Sequence, residues 1–377
     1  MMMKPLRILH CLRSPLGGLF RHVCDLSEAQ VAQGHLVGVI CDASSGGDTA
    51  DNKLAEMSSS LPLGVKRVEM SRNIGLSDIS AFNLTKKLVS DKQIDILHGH
   101  GAKGGAYSRL VANSLKNNAQ PPLSFYTPHG GSLHYDRTSL KGHIYLSLEQ
   151  YMMPMTAGLI FESAYSANEY AKKVGALSTE ARVIPNGLHE IEFTPHAPQD
   201  AAADVIFVGE LRHLKGVDVL LKAIADIAKT RPIRVHFYGD GPDTDEFIQL
   251  GRELNLQDSV DFPGRMPARA AFNTGKLLVI PSRAESFPYI VLEAAAAAIP
   301  MIVTNVGGIP EIVGNHCEMM IKPDDISALA REIKKHIEAP TPFQDRAASL
   351  QTDIQALFTV EKMSTAIIEF YNNQLNA

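Results

Sequence analysis

An α/β architecture of two parallel-sheet domains follows from three observations. Short apolar runs of strand length alternate with amphipathic runs of helix length along nearly the whole chain. The length of 377 residues suits two domains. Near the middle, Asn186-Gly187 and the stretch Pro195 to Ala203 break the alternation and read as a linker. In sheets of this kind ligands bind at the carboxyl ends of the strands.

In the N-terminal half, Leu6 to Cys11 is the first predicted strand. A Ser14-Pro-Leu-Gly-Gly18 loop follows, then an amphipathic helix from Leu19 to Gln33 with Gly34 as its C-cap. Leu36 to Cys41 completes a βαβ unit. Residues 42–60 are polar and rich in Gly and Ser, which predicts a mobile loop. Further strands are predicted at Val65 to Met70, Ile94 to His98, Leu123 to Tyr126, Leu159 to Glu162 and Arg182 to Ile184. Helices are predicted near 79–90, 104–116 and 139–153.

The second half repeats the pattern. Strands are predicted at Val205 to Val208, Arg234 to Tyr238, Val260 to Phe262, Leu277 to Ile280 and Met301 to Thr304. Helices are predicted at Val217 to Lys229, Thr244 to Leu254, Tyr289 to Ala298 and Glu361 to Gln374. Asp243-Thr-Asp245 opens one of them and reads as N-capping.

Composition narrows the function. Apolar residues make up 45%, enough for two cores, and the net charge of −5 argues against a nucleic-acid binder driven by bulk charge. Residues 1–200 hold 19 Lys+Arg against 18 Asp+Glu, and the rest hold 17 against 23. The near-neutral N-terminal half is therefore the one suited to approach an anionic membrane. Met1-Met-Met-Lys-Pro has no apolar stretch after it before Arg13, so it is not read as a signal peptide, and no run is long enough to span a membrane. Cys11, Cys24, Cys41 and Cys317 form no Cys-x-x-Cys pair. Reduced, mostly buried thiols and a cytoplasmic location are expected. No tandem repeat is evident.

The most informative stretch is Pro281-Ser-Arg-Ala-Glu285-Ser-Phe-Pro-Tyr-Ile-Val-Leu-Glu293-Ala-Ala-Ala. A strand ends before it, a loop carries Glu285, and a helix that starts near Pro288 carries Glu293. A helix N-terminus beyond a parallel strand favours an anion. Two carboxylates beside an anion site suit a ligand with phosphates and hydroxyls, such as a nucleotide-sugar. Val208-Gly-Glu-Leu-Arg212-His-Leu-Lys215-Gly216 forms a second strand-to-helix loop, where Arg can clamp a diphosphate and Lys can add a point charge. Arg212 as a solvated surface charge is the alternative. Gly17-Gly18 lets the backbone approach a phosphate, or is an ordinary tight turn. His22 stands where a third glycine would complete a dinucleotide fingerprint, so Asp42 does not signal a dehydrogenase. His98 and His100 share one strand face and could bind metal, but no Asp, Glu or Cys cluster accompanies them, and no metal site is assigned.

Glu285-x7-Glu293 with Ser-Phe-Pro inside, followed by Thr304-Asn-Val-Gly-Gly-Ile-Pro-Glu311-Ile-Val, resembles the donor site of retaining glycosyltransferases of family 4 (glycosyl transferases group 1). The resemblance runs from Leu6 to about Tyr371. It implies a GT-B fold, two Rossmann-like domains with parallel sheets facing across a cleft. Residues 1–190 would be an acceptor-side domain, 200–355 a nucleotide-sugar-binding domain, and 356–377 a helix crossing back to the first. The resemblance assigns sugar hydroxyls to Glu285 and ribose hydroxyls to Glu293. It assigns sugar and phosphate contacts to the backbone around Phe287, Pro288, Tyr289 and Ile290. Gly17 and Gly18 would face the donor phosphates, Lys215 and Arg212 would bind them, and Gly264-Arg265-Met266 would hold the base. His129, in Thr127-Pro-His-Gly-Gly131, would orient the sugar by its imidazole or carbonyl.

The implied reaction is transfer from a nucleotide-sugar to a hydroxyl of a saccharide or lipid-linked acceptor, with retention, without metal or cofactor. Peripheral membrane contact through the N-terminal domain is compatible with it. Glu210 occupies the place where the family commonly has Arg, and Ala298 the place of a Gly. These departures keep open a non-catalytic nucleotide-sugar binder, beside a 2-epimerase of the same fold.

Overall fold

The computed structural model describes residues 4–71, 75, 77–131 and 135–377, without the side chain of Thr49. The reading of Met1 to Met3 lies outside the described residues. The chain divides into two units: everything up to Gly187 together with Val360–Ala377, and Leu188–Thr359.

The first unit runs β1 (Arg7–Leu12), α1 (Gly17–Ala32), β2 (Leu36–Asp42), α2 (Gly47–Ser60), β3 (Gly64–Val68), α3 (Ser77–Asp91), β4 (Ile96–His100), α4 (Gly101–Ser114), β5 (Leu123–Thr127), α5 (Leu140–Met152), β6 (Gly158–Phe161), α6 (Ala164–Val174) and β7 (Ala181–Val183). Its sheet has the order β3-β2-β1-β4-β5-β6-β7, and every pairing is parallel. The order reverses between β1 and β4, which places a ligand crevice at their carboxyl ends. There His10 of β1 pairs in register with His98 of β4, and Leu12 with His100. β4 is buried along its whole length, as a central parallel strand must be.

The second unit runs β8 (Val205–Val208), α7 (Val217–Ala228), β9 (Val235–Tyr238), α8 (Thr244–Glu253), β10 (Val260–Gly264), α9 (Ala268–Phe272), β11 (Leu278–Ile280), α10 (Tyr289–Ala296), β12 (Met301–Thr304), α11 (Ile309–Val313), β13 (Met320–Ile321), α12 (Ile326–Glu338) and α13 (Thr341–Leu357). Its parallel sheet is ordered β10-β9-β8-β11-β12-β13, with the reversal between β8 and β11. The predicted α/β class with two parallel sheets is the architecture found.

Helix α14 (Val360–Leu375) belongs to the first unit. Its Met363, Ile367, Ile368, Phe370 and Tyr371 are buried in the same core as Ile8, Val23, Ile96 and Phe125. Ser364 donates to Gln33 at the end of α1 over 2.9 Å, and Tyr371 packs on Phe125 with ring centroids 4.6 Å apart.

Several expectations need correction. Residues 42–60 are not a loop throughout, because α2 fills Gly47–Ser60. Ala50, Leu54, Met57 and Leu61 recur at helical spacing and are buried, a stripe hidden among polar neighbours. Helices α12 and α13 were not anticipated. Asp325 caps α12 by accepting from the Ala328 N–H over 2.8 Å, and Leu329 and Ile333 bury its apolar face. The Pro195 to Ala203 stretch lies within the second unit. Asp243 does not cap α8; its carboxylate accepts from the His213 N–H over 2.8 Å and ties the β8–α7 loop instead. Of the cysteines, Cys11, Cys24 and Cys41 are buried, while Cys317 is exposed.

Candidate active site

In the second unit, the two loops at the β8/β11 reversal meet. Glu285, beyond β11, accepts from Lys215, beyond β8, with Lys215 Nζ 2.7 Å from Glu285 Oε1. The same oxygen accepts from Ser282 Oγ at 2.7 Å. The Glu285 side chain is 8% exposed and that of Lys215 24%. The pair is thus largely withdrawn from solvent but still reachable.

Three features lock this geometry. Gly216 adopts φ +69°, and a Cβ there would lie 2.0 Å from the Pro281 carbonyl oxygen. Only glycine allows the β8–α7 loop this close to the β11–α10 loop. Gly307 has φ +59°, and its Cβ would lie 1.7 Å from the Glu285 carbonyl oxygen, so the loop after β12 supports Glu285 from the other side. Arg283 makes two parallel bonds to Asp218, at 2.8 and 2.9 Å, and a third to Asp324 at 2.8 Å. Its backbone N–H donates to the Leu214 carbonyl over 2.8 Å. Burial pushes the Asp218 carboxyl up, but hydrogen bonds and charge from Arg283 outweigh this and hold it below its usual value. Ser282, Arg283, Asp218, Asp324 and Gly307 escaped the sequence reading. Arg283 and Ser282 lay inside the quoted motif; Ser282 bonds Glu285 three residues on, but the partners of Arg283 lie tens of residues away.

The remaining donor-side candidates fall in different settings. Glu293 is half-buried on α10. Phe287 and Tyr289 turn their side chains into the core, where Phe287 meets Phe358 edge-on, while Pro288 and Ile290 are half-buried. Arg212 is exposed and lies 3.5 Å from Glu210, outside the Lys215–Glu285 pair. Arg265 is 74% exposed and lies 3.4 Å from Asp240; Met266 is exposed beside it.

In the first unit, Gly17 starts α1 with φ +67° and Gly18 follows it in the helix. His129 follows β5 with φ +49°, a left-handed conformation that costs a non-glycine residue on the order of 1 kcal/mol. Its Nδ1 lies 2.5 Å from Glu162 Oε1, and its Nε2 lies 3.0 Å from His100 Nδ1. Around it is a cluster that the sequence did not disclose. His100 Nε2 lies 3.0 Å from His10 Nδ1, and His10 Nε2 lies 2.8 Å from Gln30 Oε1. His98 bonds both Thr127 Oγ1, at 2.8 Å, and the Tyr371 hydroxyl, at 2.6 Å. His22 Nδ1 lies 2.9 Å from Asn186 Oδ1. Burial drives the pKa of His10 down to about 4 and that of His22 to about 3, and holds His98 and His100 well below the usual range. His98 and His100 were noted as a pair; the other members come from positions 10, 22 and 129, which no spacing rule links.

Beside the cluster is an apolar cavity of about 490 Å³, lined by Leu19, His100, Leu110, Tyr145, Leu148 and Met152 among others. No helix among the described residues is long and apolar enough to cross a membrane.

Two family models divide the chain between them. Residues 16–190 match Glycosyltransferase Family 4, and residues 189–373 match Glycosyl transferases group 1. The chain is 26% identical to a glycogen synthase of Mycobacterium tuberculosis, over 94% of this chain and 91% of that one. It is 24% identical to the gpi3 subunit of the phosphatidylinositol N-acetylglucosaminyltransferase of Schizosaccharomyces pombe, over 95% and 80%. Its fold is similar to that of a sucrose-phosphate synthase from Thermosynechococcus elongatus, with TM-score 0.82, 20% identity and coverage of 99% and 100%. It is also similar to Anabaena HepE in complex with UDP-glucose, with TM-score 0.79, 18% identity and coverage of 98% and 100%. With the donor motif, the paired parallel sheets and these matches in agreement, the chain belongs to the glycosyl transferases group 1 family of GT-B glycosyltransferases.

Proposed function

We propose that this glycosyltransferase is a retaining hexosyltransferase that takes a nucleotide-sugar as donor and a lipid-linked or polysaccharide precursor as acceptor. The Lys215–Glu285 pair at the β8/β11 reversal carries this reading. A cation held in place before the donor binds can meet the charge that develops on the departing diphosphate without reorganising, which is where such a group lowers a barrier most. Glu285 holds Lys215 and offers its second oxygen to sugar hydroxyls. Lys215, rather than a divalent ion, supplies positive charge at the diphosphate, so this step is metal-independent. The acceptor hydroxyl attacks from the side the diphosphate leaves, and a phosphate oxygen takes its proton. Glu293 is assigned to the ribose, Arg265 and Met266 to the base, and Arg212 to a second phosphate contact made on binding. The structure of HepE with UDP-glucose supports a uridine donor here.

The acceptor assignment rests on the first unit. The apolar cavity adjoins α5, whose Leu140, Ile144, Leu148 and Tyr151 are exposed along one side. An exposed apolar stripe of this kind suits a lipid chain or a membrane surface. Contact with the inner face of the membrane is part of the reading, and the S. pombe relative's name, a phosphatidylinositol N-acetylglucosaminyltransferase subunit, supports it. The test is transfer from a panel of nucleotide-hexoses to prenyl-phosphate-linked and free saccharides, with the anomeric configuration of the product read by NMR. Retained configuration with preference for the lipid-linked acceptor is expected. An inverted product would overturn the mechanism, and transfer to free saccharides alone would overturn the acceptor class.

A further inference from the structure

The histidine cluster of the first unit contains two trios whose ring nitrogens converge within 4.8 Å of one another: His10, His98 and His100, and His22, His100 and His129. Hydrogen-bond accounting separates them. In the first trio His98 has both ring nitrogens engaged outside the trio, by Thr127 and Tyr371, and His10 is held by Gln30 on one side and by His100 itself on the other. The second trio is different.

Each ring of the second trio has an acceptor behind it. Asn186 Oδ1 takes the proton on His22 Nδ1, and Glu162 Oε1 takes the proton on His129 Nδ1. His10 gives its own Nε2–H to Gln30 Oε1, so its Nδ1 takes the proton on His100 Nε2. A neutral imidazole has one donor and one acceptor nitrogen. With each ring neutral, the three inward nitrogens, His22 Nε2, His100 Nδ1 and His129 Nε2, are all lone pairs. Two of them face each other at 3.0 Å, and the third is buried with no hydrogen-bond partner among the described residues. Lone pairs converging in a buried space favour a cation between them, either a shared proton or a metal ion.

We propose that His22, His100 and His129 bind one divalent transition-metal ion of the zinc class, with Asn186, His10 and Glu162 orienting the three rings from behind. An imidazole nitrogen bound to zinc sits about 2.0–2.1 Å from it, which puts two tetrahedral ligands about 3.3 Å apart. The 3.0 Å separation of His100 and His129 is within a small ring rotation of that. The acceptor behind each ligand is the arrangement that fixes the tautomer and raises the basicity of a metal-bound histidine. Glu162 supplies negative charge next to the ion, and its second oxygen is buried without a hydrogen-bond partner among the described residues. A set made of imidazoles suits zinc, copper or nickel rather than magnesium or calcium. The ion is separate from the diphosphate chemistry assigned to Lys215. With both ring nitrogens of His129 engaged, what that residue offers a sugar is its main-chain carbonyl, held in place by the left-handed turn.

The test uses the full chain, stripped of metal and titrated with Co²⁺ and Zn²⁺. Binding of one equivalent is expected, with visible d–d absorption from Co²⁺ and a rise in Tm with Zn²⁺. His22→Ala should abolish both signals. Asn186→Ala and Glu162→Gln should weaken binding by about 10–100-fold while keeping the stoichiometry. The two orienting variants keep the test decisive should His22→Ala fail to fold. Absence of stoichiometric binding in the wild type, or equal affinity in all the variants, would overturn the proposal. So would an NMR spectrum of the metal-treated protein showing a proton shared between His100 and His129.

Discussion

Lys215 shows how one side chain is given a task by its surroundings. Its stem is shielded, its ammonium is held at 2.7 Å by Glu285, and Glu285 is anchored in turn by Ser282. Lys215→Ala should lower kcat by about 10²–10³-fold with a smaller change in KM, because the lost charge matters most as the diphosphate leaves. Glu285→Gln keeps the shape and the Ser282 contact but loses the ionic partner. Steady-state kinetics on both variants checks this, and unchanged turnover in Glu285→Gln would remove the residue from the reaction. At this scale the sequence was legible where chemistry is local. Lys215 and Glu285 stand in short motifs, so each was a candidate before any coordinates. Arg283, which clamps both loops through Asp218 and Asp324, was not, because its meaning lies in partners 65 and 41 residues away.

At the scale of elements, the loops after β8, β11 and β12 work as one piece because glycines let them approach. Gly307→Ala would place a methyl group 1.7 Å from the Glu285 carbonyl in a strained conformation. It should cost about 1–3 kcal/mol and misplace Glu285. Urea unfolding would show the loss of stability, and kinetics the loss of turnover. Helix α12 carries a different liability. His336 is buried on it against Phe343, and burial lowers its pKa from 6.5 to about 4, with Asp204 opposing and Lys276 assisting. The folded state therefore resists a proton that the unfolded chain accepts. Below pH 6.5 the unfolded state binds more protons, so stability falls by up to about 1.4 kcal/mol per pH unit until pH 4. His336→Leu should lessen the slope by that contribution while the buried histidines of the first unit keep theirs, which urea midpoints of the two proteins between pH 7 and 4.5 would reveal. Most strands were readable as short β-branched runs, but α2 was not. Its polar Gly/Ser composition outweighed the four buried positions that define its face, a case of packing overriding propensity.

At the scale of the whole molecule, two parallel sheets each reverse strand order once, and the chemistry-bearing residues gather at those two reversals. In the second unit the reversal holds the Lys215–Glu285 pair, and its sequence signature is compact. In the first it holds five histidines drawn from α1, β1, β4 and the turn after β5. That cluster was illegible because its members are separated by up to 119 positions and are joined by sheet register, β1 against β4 and β4 against β5, and by the packing of His22 of α1 against His100 and His129. Architecture was thus readable from periodicity and the Lys215 and Glu285 candidates from motifs, while a cluster assembled by topology had to await the fold. Under the proposed function this chain binds a nucleotide-sugar through its second unit. The most direct measurement is a thermal-shift panel of nucleoside diphosphates and nucleotide-sugars on the wild type and Glu293→Ala side by side. A shift specific to one base in the wild type, absent in the variant, is the predicted result. No shift with any nucleotide, or equal shifts in both proteins, would contradict it.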